Sequence, residues 1–340
     1  MISTFFNQTL QWSNFWLQAN SDNKNHDIHY FANKSFAAYV YQYPLVGGLK
    51  FWYIPRAFVV LNEKETDLEN QEEAKLITDL LITIENEAKK NKIIFLKIDF
   101  NTNPEFCGIG TMLGGRGYKE STRKIQYIKT KILDLGELNT TIEKGQMEIN
   151  TFDLTKFWDI NQKQLTNIMD KRTRYGVRKG LQIPYIVDFT KDENTFNDFI
   201  KLHFSTAQRQ GFTTFSFKYF KTLFQQNFTK VLTLRGEDGI ARASWVGVDL
   251  NGSIHNIIGG NDTFSRENYG QYVLHLAAMN YFSKPGTFYD MGGMEEGKGY
   301  DLFKSGFVGE NVDFYGPYDK SFNKIVYFLY NLYRKIKSKK

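Results

Sequence analysis

The sequence predicts an α/β (α+β) protein of two tandem units, each a mixed, largely antiparallel sheet carrying helices. Three observations lead there. Short apolar runs alternate with helix-period segments over most of the chain. Asp238-Gly239 and Asn251-Gly252, strong hairpin dipeptides, separate three strand-like runs in the second half. The order of helices and meander in that half repeats the first, so a duplicated architecture is expected from element order, although no sequence repeat accompanies it.

The elements follow in order. Strands are expected over Ile28–Phe31, Ser35–Tyr43 and Phe51–Ile54, with Gly47-Gly48 as a turn between two of them. From Asp67 to Lys90 the period becomes helical: Leu76, Ile77, Leu80, Leu81, Ile84 and Ala88 share a face, with acids early and lysines late, as the helix dipole prefers. The run Ile93–Phe100, with Asp99 at its end, is a buried strand. A helix–turn over 105–118 and a strand Ile125–Leu135 come next, and the polar segment 137–150 is the expected domain boundary. Helices then fit 154–168, 193–206 and a stretch beginning near Ser216. Strands fit 230–235, 241–249 and 254–259, a helix 269–283, and a last strand stops at Asp290.

Composition bounds the function. With 41% hydrophobic and 24% charged residues, the 340-residue chain reads as a globular protein large enough for two cores. The net charge of +6 favours a polyanionic or membrane-surface partner. One cysteine, Cys107, excludes an internal disulfide and argues against a cysteine zinc site; among apolar neighbours it reads as buried and inert. No signal peptide is evident and no apolar run nears about 18 residues, so a cytoplasmic chain is expected. Phosphate-loop, HExxH and GxSxG patterns are absent, and the nearest approach to GxGxxG has Leu113 in place of its third glycine. Neither covalent nor metal chemistry is indicated.

Four constellations remain. Thr287–Tyr289 stops at Asp290, Gly292 and Gly293 follow, and Lys304 lies between Phe303 and Phe307. An acid at a strand end, glycines that admit a close approach and a lysine among aromatics suit an anion or a developing oxyanion. A snorkelling surface lysine after a strand and loop is the plainer alternative. Lys171, Arg174 and Arg178 share one helical face within DKRTRYGVRKG, which suits phosphates of a nucleotide or an RNA backbone, or is a solvated face. Arg209, at a helix end before Gly211, can clamp a diphosphate or act as a C-cap charge. At the chain's end Ile325, Phe328, Leu329, Leu332, Tyr333 and Ile336 form an apolar stripe beside a cationic tail. Residues 321–340 are therefore either a foot on an anionic membrane or a closing helix.

Together, Leu10-Gln11-Trp12, Tyr53-Ile54-Pro55-Arg56, Lys97-Ile98-Asp99, Lys171–Gly180, Arg209-Gln210-Gly211-Phe212, Tyr219-Phe220, Tyr289-Asp290-Met291-Gly292-Gly293 and Phe303-Lys304 give the chain its likeness. In order and spacing it resembles the Fem-type (FemABX) aminoacyltransferases of peptidoglycan bridges. The resemblance implies two N-acetyltransferase-like (GNAT-like) domains, 1–148 and 149–317, with 318–340 returning to the first. It implies transfer of an aminoacyl group from aminoacyl-tRNA, a co-substrate in place of any cofactor, to a stem-peptide amine. The acceptor would be lipid II or UDP-MurNAc-pentapeptide, and a monomer is expected. By the same likeness Lys304 and Asp99 would be catalytic. Arg209, Phe303, Arg56, Tyr289, Asp290 and Gly292 would bind substrate, and Lys171, Arg174 and Arg178 would meet tRNA or phosphate. The chain departs from the family at Ala57-Phe58, and at Ile258 where an aromatic is common. An acyl-CoA N-acyltransferase and a non-catalytic precursor-binding relative are the alternatives.

Overall fold

The computed structural model describes residues 6–61, 70–101, 109–250, 252–297 and 299–337. Cys107, Gly108, Asn251 and the start of the helix expected from Asp67 lie outside them. The chain forms two compact units, 1–128 with 313–340, and 129–312.

The first unit contains α1 (Leu10–Ala19), β1 (Asp27–Ala32), β2 (Phe36–Pro44), β3 (Lys50–Ala57), β4 (Val59–Val60), α2 (Asn70–Lys90), β5 (Phe95–Phe100), α3 (Ile109–Gly115) and β6 (Lys119–Glu120). The second contains β7 (Lys129–Asp134), β8 (Glu148–Asn150), α4 (Thr151–Ile160), α5 (Gln162–Ile168), α6 (Lys171–Gly180), β9 (Ile186–Asp188), α7 (Glu193–Gln210), α8 (Phe217–Phe224), β10 (Thr229–Arg235), β11 (Ala241–Leu250) and β12 (Ser253–Asn261). It continues with α9 (Thr263–Glu267), α10 (Gly270–Phe282), β13 (Phe288–Asp290), α11 (Gly299–Ser305) and β14 (Glu310–Asp313). The chain then returns to the first unit through β15 (Tyr315–Ser321) and α12 (Lys324–Lys337).

Both sheets are mixed. In the first, the order is β1-β2-β3-β5-β15-β6, with β4 on β2; in the second it is β14-β7-β13-β12-β11-β10-β9-β8. One motif occurs in each: an antiparallel pair, a crossover helix and a parallel strand. In the first unit this is β2-β3-α2-β5, and in the second β11-β12-α10-β13. Strand β7, on the near side of the 148/149 boundary expected from the sequence, pairs with β13 of the second sheet.

The cores follow the hydrophobic periods. Ile77, Leu80, Leu81, Ile84 and Ala88 of α2 pack on Val40, Trp52, Ile54, Leu96 and Ile98. Helix α10 is apolar nearly all round, and Val273, Leu274 and Leu276 to Met279 are buried between α4 and the second sheet, as such a helix requires. The helix expected over 154–168 is two helices. Asn161 breaks it, because its buried side-chain amide donates to Phe157 and Asn139 carbonyls at 2.9 Å and accepts from the Asn139 N–H at 2.7 Å.

Helix α7 lies against β12 at a point where there is no space for a side chain. A methyl group on Gly260 would meet the Leu202 carbonyl carbon and the His203 nitrogen at 2.5 Å, both backbone atoms. Gly260→Ala is therefore expected to destabilise the fold by about 1–3 kcal/mol, read as a lower urea midpoint at unchanged slope. An unchanged midpoint would show that α7 and β12 are not in such close contact.

Candidate active site

Strands β12 and β13 run parallel and in register only from Ser253–Phe288 to His255–Asp290. Beyond that pair they separate. The chain after β13 stays with β7, through Met291 N–H to the Lys131 carbonyl and Met294 N–H to the Lys129 carbonyl. Strand β12 continues alone to Asn261 on that side, and its residues 256–259 change from buried to half-buried. The result is a fork.

Asp290 closes the base of the fork. Its carboxylate, wholly buried, accepts from the Thr130 hydroxyl, from the Gly292 N–H at 2.8 Å and from His255 Nδ1 at 3.1 Å. Burial alone would raise its pKa, but these bonds outweigh it and hold the carboxyl below its usual range. Gly292 is at φ +74°, and a Cβ there would stand 2.3 Å from the Asn256 carbonyl oxygen and 3.5 Å from Lys304 Nζ. Asn256 Nδ2 in turn donates to the Met291 carbonyl at 3.2 Å.

Into this fork comes Lys304, carried on α11, a short helix for which the sequence gives no expectation. Its Nζ donates to the Gly293 carbonyl at 2.8 Å and lies 5.5 Å from the Tyr300 ring centroid. Burial lowers its pKa to about 8, against the opposite pull of Asp290 and Asp301. An ammonium has three N–H donors, and Gly293 uses one.

A buried network stands behind it. Trp245 Nε1–H donates to the Tyr289 hydroxyl at 3.0 Å, and that hydroxyl shares a hydrogen bond with His275 Nδ1 at 2.7 Å. Burial, with the nearby Lys304 charge, pushes His275 down to about 3, so the imidazole is neutral. Phe303 packs on His275, Tyr272 and Phe307 with centroids 4.9–5.4 Å apart. Tyr289 has no exposure at all, so it supports the site from behind.

Thus Lys304, Phe303, Tyr289, Asp290 and Gly292 come together. Arg209 sits farther along: from the end of α7 it donates to the Asn261 carbonyl at 3.2 Å and side-chain oxygen at 2.9 Å. Asn261 is five residues beyond Asn256 on β12, roughly 16 Å. The basic cluster lies on α6, which is tied to α11 by Asp170 N–H to the Gly306 carbonyl at 2.8 Å and by Arg172 to the Leu302 carbonyl at 2.5 Å. Lys171 and Arg178 are exposed, whereas Arg174 caps α5 by donating to the Met169 carbonyl at 2.6 Å. Ile258 is half-buried on the free stretch of β12.

Asp99 and Arg56 belong to the first unit and are 4% and 2% exposed. Asp99 accepts from the Tyr53 hydroxyl and from the Arg56 N–H at 2.6 Å, with Arg56 Nη1 at 3.5 Å. The Arg56 guanidinium lies 3.5 Å from the Phe314 ring centroid and donates to the Tyr127 carbonyl. Burial raises both the Asp99 carboxyl and the Tyr53 phenol. His255, Thr130, Asn256 and His275 were not legible as site residues, because each meets its partner only through the fold.

A FemAB family model matches residues 2–235, more than half of the sequence. The chain belongs to the FemAB family. No curated protein sequence matches it. Among solved structures it is similar to FemX, with a TM-score of 0.71 at 16% identity over 96% of this chain and 94% of that one. A conserved Bacteroides thetaiotaomicron protein of unknown function matches with a TM-score of 0.57 at 11% identity, over 92% and 90% of the two chains. At such identities the likeness is one of fold, and it agrees with the mixed α/β class expected from the sequence.

Lys304 carries a stability signature. Its folded pKa, about 8, lies below the ordinary 10.5, so between those values the unfolded chain binds more protons and stability rises with pH. Lys304→Met is expected to remove that rise and to stabilise the protein at pH 7 by up to about 3 kcal/mol. Denaturant titrations at pH 7 and pH 10 would check this; identical pH dependence in the two proteins would place the ammonium in open solvent.

Proposed function

We propose that this FemAB-family chain is an aminoacyltransferase that moves an aminoacyl group from aminoacyl-tRNA to the stem-peptide amine of a peptidoglycan precursor. The observation that carries the reading is Lys304, a recessed ammonium beside two glycines at a strand fork, in a chain of this family.

An aminoacyl ester arrives activated, so the reaction needs no enzyme nucleophile. The acceptor amine attacks the ester carbonyl, a C–N bond forms, and the ribose C–O bond breaks. The amine loses a proton to the substrate or to solvent, and the ribose oxygen gains one. What the protein must supply is placement and a charge for the tetrahedral oxyanion or the departing oxygen. Lys304 suits the second task, because a partly desolvated cation acts on a developing anion more strongly than a solvated one. Phe303 and the His275–Tyr289–Trp245 network hold α11 and its lysine in place. Asp99 is not given the proton step, since it is enclosed and already holds Tyr53 and Arg56. Arg209 and the exposed Lys171 and Arg178 are assigned to phosphates of the two substrates.

The test offers labelled glycyl-, alanyl- and seryl-tRNA with lipid-linked and UDP-linked acceptors. Transfer is expected with at least one pair, and Lys304→Met should lower turnover at least ~10²-fold. Because the cation is the working form, the rate should fall as pH rises through about 8. Undiminished turnover in Lys304→Met would overturn the assignment, and binding of precursor or tRNA without transfer would make the chain a non-catalytic relative.

A further inference from the structure

Helix α12 has two apolar faces and the fold uses one. Val326, Tyr327 and Tyr330 pack into the cluster of Phe51, Tyr53, Ile94 and Phe95, and the Tyr327 hydroxyl donates to Asp319 at 2.7 Å. The stripe picked out in the sequence points elsewhere. Ile325, Phe328, Leu329, Leu332, Tyr333 and Ile336 are each between 46% and 74% exposed. Six large apolar side chains at one helical spacing make a continuous exposed strip, which is unusual unless something covers it.

We propose that this outward face of α12 is a docking surface for an anionic lipid bilayer. The charge pattern selects that occupant. Residues 321–340 contain six lysines and arginines and no acidic residue. At about 100° per residue, Lys324 and Lys335 fall on the rim of the strip next to Phe328, and both are exposed. An apolar strip edged by lysines enters the boundary between headgroups and acyl chains while its cations remain at the phosphates. A second copy of the chain is disfavoured, because a two-fold contact through α12 would bring two acid-free cationic segments together. Among the described residues no helix is long and apolar enough to cross a membrane, so the helix would lie along the surface, still held by Tyr327 and Tyr330. A chain seated there meets lipid-linked acceptors in preference to soluble ones.

The experiment sediments the full chain with vesicles of phosphatidylcholine alone or mixed with phosphatidylglycerol, at low and high salt. Phe328→Ser with Leu332→Ser, and Lys324→Glu with Lys335→Glu, alter exposed positions only, and their urea midpoints should match the parent. Binding is expected to the phosphatidylglycerol vesicles, to weaken with salt and to fall at least ~10-fold in either variant. No binding to anionic vesicles, equal binding to both vesicle types, or equal binding by the variants would overturn the proposal. So would a concentration-dependent dimer abolished by the serine substitutions, which would give the face to a second copy. The assay contains neither tRNA nor precursor, so its failure leaves the transfer reaction standing.

Discussion

Asp290 has no exposure to solvent, yet its carboxylate receives hydrogen bonds from three stretches of chain. His255 reaches it from β12, Thr130 from β7, and the Gly292 N–H from the turn beyond β13. An ionised carboxylate left alone in an apolar interior costs several kcal/mol, so it persists there only when its oxygens are satisfied. Satisfying them fixes the register of three strands at one level of the sheet. It also determines where β12 and β13 part, because the Gly292 N–H can reach the carboxylate only if the chain turns away from β12 there. The left-handed Gly292, the approach to the Asn256 carbonyl and the berth of Lys304 beside Gly293 all follow from that turn.

The first unit repeats the device with a different outcome. Asp99 stands near the end of β5, the parallel strand after crossover helix α2, as Asp290 ends β13 after α10. Each carboxylate is tied back to the preceding parallel strand, to Arg56 in one unit and His255 in the other. In the first unit the associated cation is the Arg56 guanidinium, which is buried, stacked on Phe314 and bonded to Tyr127. In the second it is an ammonium whose pKa burial has shifted and whose carbonyl partner uses one donor of three. A common framework thus supports a closed structural tie in one unit and a cation suited to chemistry in the other.

How much of this was legible follows from what periodicity reports. The buried face of α2 could be read residue by residue, because the 3.6-residue period states which side chains share a side. Strands β10, β11 and β12 of the second sheet were legible through their hairpin glycines, whereas the short β8, β9 and β14, of three or four residues, were not. The fork was not, since Thr130 and Asp290 are 160 residues apart and nothing local to either announces the bond. Helix α11, at seven residues, is too short for a period to declare itself, so no helix is expected around Lys304, although its aromatic company is legible. Asn161 split one expected helix because its amide serves a neighbouring segment better than a helical surface. In α12 the stripe was identified but not its covering: an apolar period says which face avoids water, and tertiary structure decides what covers it. Here the fold takes the face of Tyr327 and Tyr330 and leaves the stripe outside.

Charge and pH limit the fork and its lysine together. Lys304 remains a cation near neutral pH because Asp290 and Asp301 partly offset the cost of its burial. Nearby His275 is kept neutral by its burial, so no second positive charge opposes the first. Asp290, with its folded pKa depressed, contributes stability at pH values above the carboxylate range and loses that contribution as pH falls through its folded value. Acid therefore loosens the fork, while alkali leaves the fork intact and discharges Lys304 near pH 8. The site holds both its shape and its charge only between those limits. The carboxylate sets the acid limit and the lysine the alkaline one, and because Asp290 raises the Lys304 pKa, the group that holds the fork together also extends the range over which its cation survives.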